Sequence, residues 1–287
     1  MVMQIKFEEV KADYQLGPIR TKNVIDDISV HIESGTFTAV IGQTGAGKSS
    51  LLKLINGLLS PSTGLIQVGD IQLTRAPEKE QLNKVRKRVG MVFQFPENQL
   101  FAETVEADIA FGPRNFGFDQ EQINRSVKES LDQVGLSSDI LNRSPFSLSG
   151  GQQRRVALAG VLATKPDVLV LDEPGAGLDP EGKKQILSLI KQLNMKEHMT
   201  VLIVTHDMND VAEYTDHVLI MEQGKVICHQ ATRSFFNQYQ QLTDFGLDLP
   251  DVIYLQQQIE QKKGIKLPKV SLTKEELIDL LIEEQHL

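Results

Sequence analysis

The segment Gly42-Gln43-Thr44-Gly45-Ala46-Gly47-Lys48-Ser49 fits the spacing G-x-x-x-x-G-K-[ST], and its neighbours fit as well. Thr36–Ile41 before it reads as a buried strand. Ser49–Gly57 after it is apolar at helical spacing and closed by a glycine. A strand that passes through such a loop straight into a helix leaves few folds open. Glycines let backbone N–H groups turn inward around a polyphosphate, and the helix N-terminus adds partial positive charge. Lys48 is long enough to reach β- and γ-phosphates, and the Ser49 hydroxyl is a Mg²⁺ ligand by type. Gly42, Gln43, Thr44, Gly45, Ala46, Gly47, Lys48, Ser49 and Ser50 together form the candidate nucleotide-binding segment.

Around that loop the chain sorts into three regions. Up to about residue 96 it reads as strands, with Ile25, Ile28, Val30 and Ile32 marking one that ends at Gly35. Leu65–Val68 and Val89–Phe93 mark two more, with a helix over Glu78–Arg88 between them. From about 98 to 162 the pattern turns helical. Asp119 is placed to cap a helix whose apolar positions are Ile123, Val127, Leu131 and Val134. After Asp167, strands at 168–171, 201–204, 218–221 and 225–228 are interleaved with helices such as Glu181–Leu193. Such alternation implies a mainly parallel sheet covered by helices, so the helical block is an insertion into one α/β domain. From Leu242 the composition shifts to two short amphipathic helices, one after Pro250 and one from Thr273. Thr273-Lys274-Glu275-Glu276 fits a capping box, and Leu277, Ile278, Leu280, Leu281 and Ile282 give a broad apolar face. An appendage this short must pack that face on the main body or on a partner.

Composition narrows the partners. A net charge of −8 argues against a nucleic-acid backbone as the main partner, and the run Lys84–Arg88 reads as the solvated end of a helix. Cys228 is the only cysteine, so no intrachain disulfide forms and a reducing compartment is favoured. Charges follow the first residues too soon for a signal peptide, and no apolar run nears the roughly 18 residues of a membrane span. The chain is expected to be soluble by itself and free to attach to a membrane protein.

Two further constellations carry chemistry. Val168-Leu169-Val170-Leu171 delivers Asp172 to the metal side of the phosphates, and Glu173 beside it is a candidate general base for an attacking water. Leu148-Ser149-Gly150-Gly151-Gln152 is followed by a helical run through Ala159, so Ser149 and the two glycines occupy a second helix N-terminus suited to an anion. Two such helix ends beside a single phosphate loop suggest a shared ligand, with one chain's loop and another chain's Ser-Gly-Gly clasping one ATP.

With these motifs in order, residues 1 to about 240 resemble the ATP-binding-cassette (ABC) ATPases, in which LSGGQ is the signature motif. The resemblance implies a P-loop NTPase, an α/β fold with a mainly parallel sheet, an N-terminal antiparallel β subdomain, an inserted α-helical subdomain and a short helical C-terminal extension. The nucleotide-binding domain would span residues 1–241 with its insertion at about 98–162, and residues 242–287 would serve dimerisation. Gln94 resembles the Q-loop glutamine that contacts Mg²⁺ and the attacking water. Gly177-Leu178-Asp179 resembles the D-loop that crosses the dimer interface. His206 resembles the switch histidine at the γ-phosphate, although a lone histidine after a strand is by itself commonly structural. Tyr14 would stack on adenine, and by itself it suits the core equally well. Ser49, Gln94 and Asp172 would hold Mg²⁺, while Ser149, Gly150, Gly151 and Gln152 would face the partner's ATP.

Finer features are similar to the energy-coupling factor (ECF) transporter ATPases. They are Phe93–Phe101, Thr104-Val105, Asp108–Pro113, Arg155–Ala163 and Phe245–Pro250. The Phe-Gly-Pro version and the long connection from Tyr14 to Val24 are most similar to the second of the two ATPase paralogues. Gly175 stands where many relatives carry a larger residue. The resemblance implies an importer of vitamins or transition-metal ions. Its ATPase would lie on the cytoplasmic face of the membrane, paired with a second ECF ATPase as a heterodimer. It would dock on a membrane coupling (T) subunit that works with a substrate-binding (S) subunit, with no nucleic acid. Glu97 would either pair with an arginine of the coupling subunit or remain a solvated carboxylate. The competing class is a soluble ABC protein of DNA repair or translation, which typically carries coiled-coil insertions or tandem cassettes. A GTPase would need an Asn-Lys-x-Asp motif, which the sequence lacks.

Overall fold

A computed structural model of the chain describes residues 3–16, 19–238 and 247–284. Strands β1 (Ile5–Leu16) and β2 (Ile19–Ile32) form a long antiparallel pair, so the stretch between Tyr14 and Val24 is mostly extended ladder rather than free connection. With β4 (Thr63–Val68) and β5 (Ile71–Leu73) they make a four-stranded antiparallel sheet in the order β2-β1-β4-β5.

The second sheet has six strands. They are β3 (Phe37–Ile41), β6 (Val89–Val92), β7 (Val168–Asp172), β8 (Thr200–Val204), β9 (His217–Glu222) and β10 (Lys225–Ala231), in the order β10-β9-β3-β8-β7-β6. All neighbours pair in parallel except β10, which closes one edge antiparallel to β9. Both faces of this sheet are covered, and alternate side chains explain how. Phe37, Ala39, Ile41, Leu169, Leu171, Val201 and Ile203 enter one core, while Val40, Val168, Val170, Leu202 and Val204 enter the other. A strand buried on both sides must be apolar throughout, which is why these segments read as unbroken hydrophobic runs.

Helix α1 (Lys48–Ile55) and the antiparallel sheet cover the second core, joined by α2 (Lys79–Arg88), which packs through Val85. The first core takes α3 (Val105–Asn115), α4 (Gln120–Gln133), α5 (Gly150–Leu162) and α6 (Pro180–Glu197). It also takes α7 (Met208–Tyr214), α8 (Thr232–Asn237), α9 (Asp251–Lys263) and α10 (Lys274–Glu283). Asp119 caps α4 as expected, by accepting from the Gln122 N–H at 2.8 Å.

The junction at residues 241 and 242, together with Phe245 and Gly246, lies outside the described residues. Beyond it, α9 and α10 pack on the main body through Val252, Ile253, Leu277, Leu280 and Leu281, while Ile278 and Ile282 stay exposed. The Thr273 hydroxyl accepts from the Glu276 N–H, but Glu276 does not close the capping box. Its carboxylate instead accepts from the Leu272 N–H at 3.0 Å and pairs with Arg233 of α8 at 2.7 Å. An ion pair to the body has replaced a purely local bond. Among the described residues no helix is long and apolar enough to cross a membrane.

Candidate active site

Parallel strands present their C-terminal ends together, and in open α/β sheets ligands gather there. Four of those ends carry the residues at issue. The phosphate loop follows β3, Gln94 follows β6, Asp172 ends β7 with Glu173 next, and His206 follows β8.

The loop's shape depends on its glycines. Gly47 has φ 101° and a Cβ there would lie 2.7 Å from the Val24 carbonyl oxygen; Gly42 has φ 140° and a Cβ would lie 2.1 Å from that of Met221. Both positions exclude any other residue. Gly47 precedes α1 with no side chain capping the helix, so the first N–H groups of α1 are left for a ligand to satisfy. Tyr14, Thr44, Gly45, Gly47, Lys48, Ser49, Ser50, Gln94, Asp172 and Glu173 line one cavity of about 340 Å³. Gly42, Gln43 and Ala46 lie on the adjoining side of the loop. Lys48 Nζ donates to the carbonyls of Gly42 and Gln43 at 2.7 and 2.9 Å. Burial pushes the Lys48 ammonium pKa down, and the nearby Glu173 and Asp172 carboxylates oppose that shift without cancelling it. The Tyr14 ring borders the same cavity, with Lys53 Nζ 5.3 Å from its centroid.

Glu173 is the most constrained member. Its φ of 49° places an acidic residue in the left-handed region, at a cost of about 1–2 kcal/mol. The turn swings its carboxylate off the strand axis toward two partners. Gln94 Nε2 donates to Glu173 Oε2 at 3.0 Å, and His206 Nδ1 lies 3.4 Å from Oε1. Asp172, one residue earlier, lines the same cavity, near enough for its charge to act on the Lys48 ammonium. The hydroxyl of Ser49, the amide of Gln94 and the carboxylate of Asp172 are the hard oxygen donors that Mg²⁺ selects, and they border one space.

The signature residues are not part of this cavity. Ser149 caps α5, with its hydroxyl accepting from the Gln152 N–H at 3.3 Å and the Gln152 side chain returning to the Ser149 N–H at 3.1 Å. Ser149, Gly150 and Gly151 are exposed, and a Cβ on either glycine would meet nothing within 4 Å. Among the described residues nothing requires glycine at those positions. Asp179 likewise faces outward, capping α6 through the Gly182 N–H at 2.7 Å.

Glu97 already has a partner inside the chain: Arg154 of α5 grips both its oxygens at 2.7 and 2.9 Å and leaves the carboxylate side chain 22% exposed. Burial works against the Glu97 carboxylate, but the Arg154 hydrogen bonds and charge hold its pKa below the ordinary value. Arg154 also donates to the carbonyls of Pro174 and Ala176 at 3.2 and 2.9 Å, tying the signature helix to the turn after Glu173. The sequence held a signal for this arginine. Arg154 shares a helical face with Leu158 and Leu162, both buried, so its side chain had to point inward.

The sequence matches the ABC transporter family over residues 25–176. Over 279 residues it is 44% identical to the energy-coupling factor transporter ATP-binding protein EcfA2 of Geobacillus kaustophilus, covering 97% of this chain and 96% of that protein. The Staphylococcus aureus protein of the same name is 41% identical over 284 residues, 99% of each chain. The solved structure of cbiO1 from Clostridium perfringens, part of the ABC transporter complex cbiONQ, matches at 33% identity with a TM-score of 0.72. That match covers 90% of this chain and 100% of that one. Agreement this extensive runs through the antiparallel sheet, the insertion and the C-terminal helices alike, and the chain belongs to the ABC transporter family, among its energy-coupling factor ATP-binding proteins.

Proposed function

We propose that this chain is the ATP-hydrolysing subunit of an ECF-type importer for vitamins or transition-metal ions. It works as one of two ATPases, the second being a paralogue, on the cytoplasmic face of the membrane. The observation that carries the pairing is the bareness of Gly150 and Gly151. Their missing side chains serve no contact among the described residues, so they leave room for a body from outside, here the triphosphate held by the partner's phosphate loop. Reciprocally, this chain's loop holds an ATP that the partner's signature helix covers. Ser49, Gln94 and Asp172 would hold Mg²⁺, which neutralises charge on the β- and γ-phosphates when bound.

The chain's own groups account for the rest. Lys48 and the N–H groups of α1 bind the phosphates, and Tyr14 stacks on adenine. The Glu173 carboxylate accepts a proton from water as its oxygen attacks the γ-phosphorus and the bond to the bridging β–γ oxygen breaks. Gln94 orients that water, and His206 donates to the γ-phosphate oxygens. Asp179 meets the partner across the interface, and residues 242–287 strengthen the pairing through their exposed apolar face, including Ile278 and Ile282. Closure and release of the pair drive a membrane coupling subunit, which reorients a substrate-binding membrane protein.

The test is to isolate the chain from detergent-solubilised membranes and measure ATP turnover. Co-purification with a second ATPase and membrane subunits, and turnover that requires the pair, is the expected result. A soluble complex without membrane subunits, or full hydrolysis by a strict monomer, would overturn it.

A further inference from the structure

Between the turn after Glu173 and the loop carrying His206 lies a cavity of about 640 Å³, and one cation crosses it. Lys183, in the first turns of α6, places its ammonium 2.5 Å from Asp207 and 2.7 Å from Asp210. Those two carboxylates bracket the start of α7, immediately after His206. Asp207 is also the N-cap of α7, accepting from the Asn209 N–H at 2.9 Å, and its own N–H donates to the Thr205 hydroxyl at 3.1 Å. The loop bearing His206 is therefore held through its neighbours, while the His206 side chain itself is 81% exposed.

The stem of Lys183 explains a second oddity. A Cβ built on Gly175 would lie 2.8 Å from Lys183 Cγ and 3.3 Å from Cδ. The absent side chain at Gly175, two residues after Glu173, is what lets the lysine pass alongside that turn. Burial opposes the Lys183 ammonium, yet the two carboxylates outweigh it and keep its pKa above the ordinary value. Asp207 is held low against its own desolvation by the same lysine, while deeper burial pushes Asp210 up. The lysine thus stays charged and the more exposed carboxylate stays ionised.

We propose that Lys183 is a positioning residue for hydrolysis: threaded past Gly175, it locks the loop after β8 so that His206 stays against Glu173. Lys183 lies four residues after Asp179 on the same helix, so engagement of Asp179 by the partner chain is transmitted to His206 along α6. This inference rests on the hydrolytic reading above. It goes beyond it in naming a residue that touches neither nucleotide nor water.

The experiment compares Lys183→Met, Lys183→Arg, Gly175→Thr and the Gly175→Thr/Lys183→Met double variant in the isolated complex. It follows kcat, KM for MgATP and the unfolding midpoint. A misplaced group beside the reacting atoms costs rate rather than ground-state binding, so Lys183→Met should lower kcat about tenfold or more with KM within about twofold. Lys183→Arg should restore most of the loss. Gly175→Thr should lower kcat by itself and add little to Lys183→Met, since both disturb one contact. An unchanged kcat in Lys183→Met, no rescue by arginine, or additive losses in the double variant would overturn the proposal. Hydrogen exchange at residues 205–208 separates this from failure of the hydrolytic reading. Should wild type not hydrolyse ATP, exchange about tenfold faster in Lys183→Met still supports the lock, and unchanged exchange sinks it.

Discussion

The helix N-termini of α1 and α5 both carry glycines, and those glycines live in different surroundings. At the start of α1, Gly47 is fixed by a left-handed φ of 101° and by the Val24 carbonyl, 2.7 Å from where its Cβ would be. At the start of α5, Gly150 and Gly151 have no neighbour among the described residues within 4 Å of an added Cβ. The helix ends differ in occupancy as well. The α1 terminus carries no side-chain cap, whereas Ser149 and Gln152 close a capping box on α5. One half-site is shaped from within the chain, and the other is finished on its own side and left open on the other. A glycine in a phosphate-binding motif therefore has two distinct physical causes in one molecule: backbone geometry in the first case, clearance for an outside body in the second.

The largest break in the comparison comes from Glu173, which belongs wholly to the first half-site. Glu173→Gln removes a proton acceptor while keeping the side chain's size and its bond with Gln94. Turnover should fall about a hundredfold to ten-thousandfold. ATP affinity should hold, and the pair should accumulate closed, seen as a larger species by size-exclusion chromatography with ATP. Wild-type turnover in that variant would remove Glu173 as the base.

Arg154 tests whether the two half-sites are independent. It sits on the signature helix yet grips Glu97 and the carbonyls of Pro174 and Ala176 beside Glu173. Its side chain is 5% exposed, and removing one partner of a buried pair leaves the other charge stranded. Arg154→Met should cost about 3 kcal/mol of stability in a denaturant titration. The pH dependence gives a sharper readout. Glu97 has a folded pKa below its ordinary 4.5, so its contribution is present above that pH and is lost as pH falls through the folded value. Arg154→Met should flatten that acid-side loss, and a variant as acid-sensitive as wild type would show the pair to be energetically idle.

Glycine substitutions then set the two helix ends directly against each other. Gly47→Ala forces a Cβ into the left-handed region and against a carbonyl, so it should cost about 1–2 kcal/mol and weaken nucleotide binding. Gly151→Ala should do the opposite to the isolated chain, stabilising it by up to about 0.5 kcal/mol, because alanine forms helix better and nothing obstructs it. Hydrolysis by the assembled pair should nevertheless fall. A Gly151→Ala variant with full paired turnover would mean the open glycines face nothing.

The sequence showed the first of these half-sites almost completely and the ties between them hardly at all. Strand, loop and helix around Gly42–Ser49 are contiguous, so local spacing reports them directly. The same holds for Asp172 and Glu173, which adjoin the end of an apolar run. Strand β1 escaped notice for a physical reason. Its inward positions run Ile5, Phe7, then Val10 and Ala12, because Glu9 at φ 49° forms a bulge that breaks the alternation. A similar irregularity at Asp27, φ 58°, interrupts β2 between Ile25 and Ile28. Glu97 and Lys183 were beyond reach because their partners are far away in sequence. Lys183 does share the buried face of α6 with Leu187 and Ile190, a hint of the same kind that Arg154 gives.

A third helix N-terminus extends the comparison into the C-terminal extension. Helix α9 begins after Pro250, which offers no side-chain cap, so its N–H groups must be satisfied from elsewhere. Asn209 of α7 supplies the partner: its Oδ1 accepts from the Asp251 N–H at 2.8 Å, and its Nδ2 donates to the Asp251 carboxylate at 3.3 Å. Here the cap is borrowed from a distant element, three residues past His206. Asn209→Ala should cost about 1 kcal/mol, as for a lost cap. Because the extension's other anchors, Arg233 with Glu276 among them, are untouched, the loss should appear as faster hydrogen exchange confined to the first turn of α9. If exchange rises equally through α10, the extension moves as one unit and Asn209 is its hinge to the His206 loop. If it rises nowhere, the α9 terminus is satisfied by solvent alone, and this third helix end resembles α1 rather than α5.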